Sequence, residues 1–104
     1  MATAAEIIEQ MNSKFNAGAA AGLDLVFQFN IEDGGVYHLV VNDGTCSIVE
    51  GENDDANVTL IMNTETFQGI ASGDTDGMQA FMSGQLKVEG DMMLATKLGE
   101  LFPA

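Results

Sequence analysis

Residues 23–51, LDLVFQFNIEDGGVYHLVVNDGTCSIVEG, decide the fold class. Leu23, Leu25, Phe27, Phe29 and Ile31 alternate with Asp24, Val26, Gln28, Asn30 and Glu32. That two-residue period belongs to a strand with one face buried. Asp33-Gly34-Gly35 supplies the positive-φ residues of a tight hairpin into VYHLVVN at 36–42, and Asn42-Asp43-Gly44 turns the chain again into TCSIVEG. An acidic loop from Glu50 to Asp55 leads to VTLIM at 58–62, and no proline interrupts any of the four segments. The expectation is four antiparallel strands in chain order.

Upstream of this stretch, Thr3 and Glu6 have capping-box spacing, and Ile7, Ile8, Met11 and Phe15 share a helical face that should run to about Gly18. Downstream the period changes. Asn63 or Thr64 caps a short helix with Phe67, Ile70 and Ala71 on one face and Gly73 at its end. Asp74 or Thr75 caps a second, with Met78, Phe81 and Met82 apolar and Gly84 placed to end it in a left-handed conformation. QLKVEG at 85–90 is a fifth strand. Asp91 then caps a last helix, lined by Leu94, Leu98, Leu101 and Phe102 and stopped by Pro103. The pattern predicts one α+β domain over 1–104: a five-stranded, largely antiparallel sheet with helices packed on one face.

The chain of 104 residues carries three lysines, no arginine and 16 acids, a net charge of −13. That excludes a phosphate-backbone binder, so no nucleic-acid partner is expected. It also argues against strong binding to anionic membranes. At 46% apolar residues the chain is too hydrophobic for a disordered acidic tail. MATAAEIIEQ places Glu6 and Glu9 where a targeting segment needs positive charge, and no window approaches 18 apolar residues. With a single cysteine, Cys46, the expected compartment is the reducing cytoplasm.

Hydrolytic chemistry needs a nucleophile, a base and an orienting group. The lone histidine, His38, and Cys46 both sit in strands, and no nucleophile turn of the G-x-S-x-G type occurs. No catalytic residue and no cofactor are expected. Asp74-Thr75-Asp76-Gly77 begins like a calcium loop, but its sixth position is Gln79 and its twelfth Gln85. Glu50, Glu52, Asp54 and Asp55 form an acidic turn between strands, so no metal site is expected. The informative residues are apolar. By spacing alone, the helix faces describe a packed core, to which Met62, Met78, Met82, Met92 and Met93 add flexible thioethers able to repack around variable shapes.

The run FMSGQLKVEGDMMLATKL at 81–98, preceded by FQGIASGDTDGMQA, resembles the C-terminal half of the sterol carrier protein 2 family. The match includes Phe81, Met82, Gly84, Leu86, Lys87, Val88, Gly90, Asp91, Leu94, Ala95, Lys97 and Leu98, and the element order agrees over nearly the whole chain. The resemblance implies sheet and helices enclosing an apolar tunnel for fatty acids, acyl-CoA, sterols or similar lipids, with no chemistry of its own. The lining it implies here is Phe27, Phe29, Leu60, Phe67, Ile70, Met78, Phe81, Met82, Val88, Leu94, Leu98, Leu101 and Phe102. This chain departs from the family where Gln85 replaces a lysine, Glu89 lies on the strand, the net charge is acidic, and the chain ends Phe102-Pro103-Ala104 without a peroxisomal tripeptide. A free-standing domain without CoA-phosphate recognition is the expectation. Its leading function is a non-catalytic carrier of a fatty acid, sterol-like or isoprenoid lipid. The alternative is an accessory subunit presenting a hydrophobic intermediate, such as a quinone precursor, to a lipid-modifying enzyme partner; a stand-alone enzyme ranks third.

Overall fold

Thr3 opens the first helix in a computed structural model that describes residues 3–102. Its hydroxyl accepts from the Glu6 N–H while the Glu6 carboxylate accepts from the Thr3 N–H, which satisfies two otherwise orphaned donors. Helix α1 (Ala4–Ser13) buries Ala4, Ile7, Ile8 and Met11. It stops short of the expected Gly18. Phe15 leaves the helix to pack against Phe102, the rings tilted by 41° with centroids 5.5 Å apart, and the Asn16 N–H donates to the Leu101 carbonyl at 2.7 Å. These contacts tie the end of α1 to the end of the chain's last helix.

Strands β1 (Asp24–Ile31), β2 (Gly35–Asn42) and β3 (Thr45–Glu50) form the antiparallel meander, with Phe27, Phe29, Ile31, Leu39 and Val41 buried on one face. At the first turn only Gly35 has positive φ, +100°. Gly34 is needed for space instead: a Cβ there would lie 2.8 Å from the Ala4 Cβ and 3.0 Å from the Thr64 Oγ1. Asp43 and Gly44 both take positive φ at the second turn, as a two-residue hairpin requires.

Strand β4 (Val58–Met62) corrects the expectation of four antiparallel neighbours. It pairs in parallel with β1, Phe27 opposite Val58 and Ile31 opposite Met62, and the sheet order is β3-β2-β1-β4-β5. β2 already has two partners, so the open edges are those of β1 and β3. On β1, the apolar Val58, Leu60 and Met62 reach the middle of the core, where all three are buried. Residues 51–57 must therefore cross back over the outer face of the sheet. There the Gln28 Oε1 accepts the Asn53 N–H at 2.8 Å, and the His38 Nδ1 lies 2.9 Å from the Gly51 carbonyl. A carbonyl only accepts, so Nδ1 carries the proton in this contact. The crossover accounts for the burial of two polar side chains, Gln28 and His38, on the face opposite the core. Asn57 ends it by pairing its side chain and its N–H with Val26.

Helix α2 (Thr64–Ser72) is capped by Asn63 and ended by Gly73 at φ +87°. Helix α3 (Gly77–Met82) is capped by Asp76 rather than by Asp74 or Thr75. Asp74 instead accepts from the Ser72 hydroxyl, and the Thr75 N–H donates to the Gly69 carbonyl, which delays the helix by two residues. Strand β5 (Lys87–Gly90) pairs antiparallel with β4, and helix α4 (Met92–Leu101) starts on the Asp91 cap. Pro103 lies outside the described residues. The architecture is α+β, and core residues from α1, α2 and α4 join those of the sheet in a single cluster. Among the described residues no helix is long and apolar enough to cross a membrane.

Candidate functional site

The core does not fill the space over the β4–β5 half of the sheet; a pocket of about 430 Å³ lies there. Phe29, Leu60, Met62 and Val88 form its floor. Phe67, Ile70 and Ala71 of α2 make one wall, Met78 and Phe81 of α3 another, and α4 covers it with Met92, Ala95, Thr96, Leu98, Gly99 and Phe102. Two aromatic rings join floor and wall: Phe29 and Phe67 stack with centroids 5.4 Å apart. At 100° per residue, Leu94, Leu98 and Leu101 share the side of α4 that faces the core, while Met92, Ala95, Thr96 and Gly99 are centred about 140° further around the helix. Small residues there leave room, and a Cβ added at Gly99 would meet nothing within 4 Å.

Nine of the thirteen residues expected from the resemblance line this pocket: Phe29, Leu60, Phe67, Ile70, Met78, Phe81, Val88, Leu98 and Phe102. The other four do not. Phe27 is fully buried two residues further along β1, paired with Val58. Leu101 is buried on the core side of α4, and Leu94 packs half-buried against the core. Met82 is 79% exposed, because one step of 100° beyond Phe81 carries it off the pocket wall. The lining also contains Met11, Ala71, Ala95 and Gly99, outside the expected set, together with Met62 and Met92, which the sequence marks only as adaptable thioethers. The available signal was the run of small residues on one side of a leucine-rich helix.

The polar side chains in the lining are few. Asp76 accepts from the Met78 N–H at 3.0 Å, the Thr96 hydroxyl donates to the Met93 carbonyl at 2.6 Å, and Thr75 lies on the connector between α2 and α3. None of Lys14, Lys87 and Lys97, all the cations of the chain, lines it. Elsewhere, burial pushes the Cys46 thiol up to about 11, away from the range of a thiolate nucleophile. Among the described residues no group of three or more His, Cys, Asp and Glu is placed to hold a metal ion.

The sequence profile of the SCP-2 sterol transfer family matches residues 4–103. The chain belongs to that family. SCP-2 domains are lipid-binding and lipid-transfer units, and this one is 42% identical over 79 residues to hydroxysteroid dehydrogenase-like protein 2 of Bos taurus, a match covering 73% of this chain and 19% of that protein. The chain thus spans about a fifth of the length of the curated relatives it matches. Among solved structures, the palmitated SCP2L2 of Aedes aegypti superposes with a TM-score of 0.73 at 26% identity, covering 99% of this chain and 96% of that one. The sec-alkyl sulfatase PisA1 from Pseudomonas sp. contains the same fold, its double mutant superposing with a TM-score of 0.89 at 22% identity over 99% of this chain and 17% of that one. The SCP-2 fold therefore occurs both as a separate chain and inside larger enzymes.

Proposed function

We propose that this SCP-2 domain carries an uncharged or weakly polar lipid, sterol-like or isoprenoid, in the pocket beneath α4, and that it does no chemistry of its own. The observation that carries this reading is the lining: apolar side chains broken only by two threonines and one aspartate, with no cation. A hydroxyl head group can donate to the Asp76 carboxylate or to the Thr96 hydroxyl oxygen, and a hydroxyl or carbonyl oxygen can accept from Thr75. A carboxylate would meet the Asp76 charge without a lysine to offset it. A palmitated mosquito relative of the same fold supports lipid binding; the missing cation disfavours the fatty acid anion here. The non-catalytic reading is supported by His38, engaged by Gly51 beneath the crossover, and by the raised Cys46 thiol. Cys46 also suits a reducing cytoplasm.

Thermal unfolding with added ligand tests the reading. A sterol or long-chain isoprenoid alcohol at a hundred times its dissociation constant should add about 2.7 kcal/mol. For a domain of this size that raises the melting temperature by on the order of 10 °C. Palmitate at neutral pH should do less. The carrier reading fails if none of the three moves the melting temperature and native mass spectrometry finds no lipid on the freshly purified protein. Given the net charge, flotation should show no preference for phosphatidylserine over phosphatidylcholine vesicles.

A second reading has its own support. The curated relatives carry this domain as about a fifth of a longer dehydrogenase-like protein, which favours a module that presents a hydrophobic intermediate to a catalytic partner. Affinity purification that recovers a lipid-modifying enzyme in stoichiometric amount would establish that role, and a chain that purifies alone with bound lipid would leave the carrier reading in place.

A further inference from the structure

Among the described residues the methionines divide by position. Met11 and Met62 are 6% and 2% exposed, whereas Met78, Met82, Met92 and Met93 are 55%, 79%, 48% and 76% exposed. Met78 and Met92 line the pocket from α3 and α4; Met82 lies one turn from Met78, and Met93 adjoins Met92. No charged residue interrupts 77–82 or 92–96 in this strongly acidic chain. Four solvent-accessible thioethers therefore stand on the two helices that bound the pocket. A thioether is apolar and flexible, while its sulfoxide is polar and stiffer. Cys46, the other oxidisable sulfur type, is half-buried with its thiol raised to about 11, so little thiolate competes for an oxidant.

We propose that Met78 and Met92, with Met82 and Met93 beside them, form a reversible oxidation site that controls entry of lipid to the pocket. The inference rests on the lipid-carrier reading. In the forward step hydrogen peroxide gives one oxygen atom to the methionine sulfur: the O–O bond breaks, the S–O bond forms, the sulfur loses two electrons, and the peroxide leaves as water. In the return step a methionine sulfoxide reductase and a dithiol remove that oxygen as water, and the dithiol becomes a disulfide. Oxidation would place dipoles where an apolar chain must pass, and dehydration of those dipoles without a partner opposes binding.

The test is graded peroxide treatment of the intact protein, with peptide mass spectrometry and the binding of dehydroergosterol read on the same samples. Met78, Met82, Met92 and Met93 should gain oxygen before Met11 and Met62, with circular dichroism unchanged. Binding should weaken by about tenfold, equivalent to ~1.4 kcal/mol, and recover after enzymatic reduction. Whatever its own affinity, a variant with Met78→Leu, Met82→Leu, Met92→Leu and Met93→Leu should show no further change on oxidation. Modification of the buried pair at the same dose would overturn the proposal, as would unchanged binding once the four sulfoxides have formed. If the unoxidised protein binds neither dehydroergosterol nor an isoprenoid alcohol, the carrier reading falls and this one with it. Binding that ignores oxidation removes only the present proposal.

Discussion

Asp33 shows how one side chain joins two elements. One of its carboxylate oxygens accepts from both the N–H and the hydroxyl of Thr64 at 2.7 Å, so the β1–β2 turn holds the first turn of α2, the wall that carries Phe67. Those bonds hold the Asp33 carboxyl below its ordinary value of 3.8. Because the folded group is the more acidic, its contribution to stability is complete above the ordinary aspartate range and is lost as pH falls through the folded value. Asp33→Asn should therefore lower the denaturation midpoint at neutral pH, and the gap from the unmodified protein should close in acid titrations below that range. Gly99 acts in the opposite sense, by what it leaves empty. Gly99→Leu replaces the poorest ordinary helix former, a gain of roughly 0.8–1.0 kcal/mol in propensity, and puts a side chain into the pocket. Its expected signature is an undiminished melting temperature with the lipid-induced rise abolished. Neither role was fully legible in the sequence. Asp33-Gly34-Gly35 announced a turn through its residue types, but the need for Gly34 comes from α1 and α2 closing on it, a contact between segments that local spacing does not encode.

At the scale of elements, α4 does two jobs on different sides. Leu101 belongs to the core, and Leu98 sits at the border between core and pocket. Leu101→Ala should cost about 2–5 kcal/mol, as deletion of a fully buried leucine does. Leu98→Ala should cost less in chemical denaturation yet weaken lipid binding more. Equal effects of the two changes in both measurements would mean that α4 is only core. The existence of each helix was readable because caps and apolar periods are local: Thr3, Asn63 and Asp91 all cap as their sequence positions indicate. The pocket face was not readable in full. A single apolar stripe was assigned to each helix, and the second side of α4, built from small residues, carries no hydrophobic signal. Contacts at both ends of α4 also restrict its motion. Leu101 and Phe102 are held by Asn16 and Phe15, and at the other end the Asp91 N–H donates to the Asn57 carbonyl.

For the whole molecule, the strands were legible and their neighbours were not, since a two-residue period states which face is buried but not which edge is taken. β1 proves to be the central strand, shared by an antiparallel partner on one side and a parallel one on the other. The meander closes through short turns, whereas β4 reaches β1 with paired residues 31 positions apart (58 − 27 = 31). Closing that larger loop costs entropy before any contact repays it. The order of folding should follow: the hairpins form early, β4 lands on β1 late, and the cavity exists only after that last event. A lipid can then recognise nothing in the rate-limiting ensemble, so stopped-flow refolding should proceed at the same rate with or without it, while unfolding becomes slower in its presence. The crossover that hides Gln28 and His38 would thereby make cargo a brake on unfolding and never a template for folding.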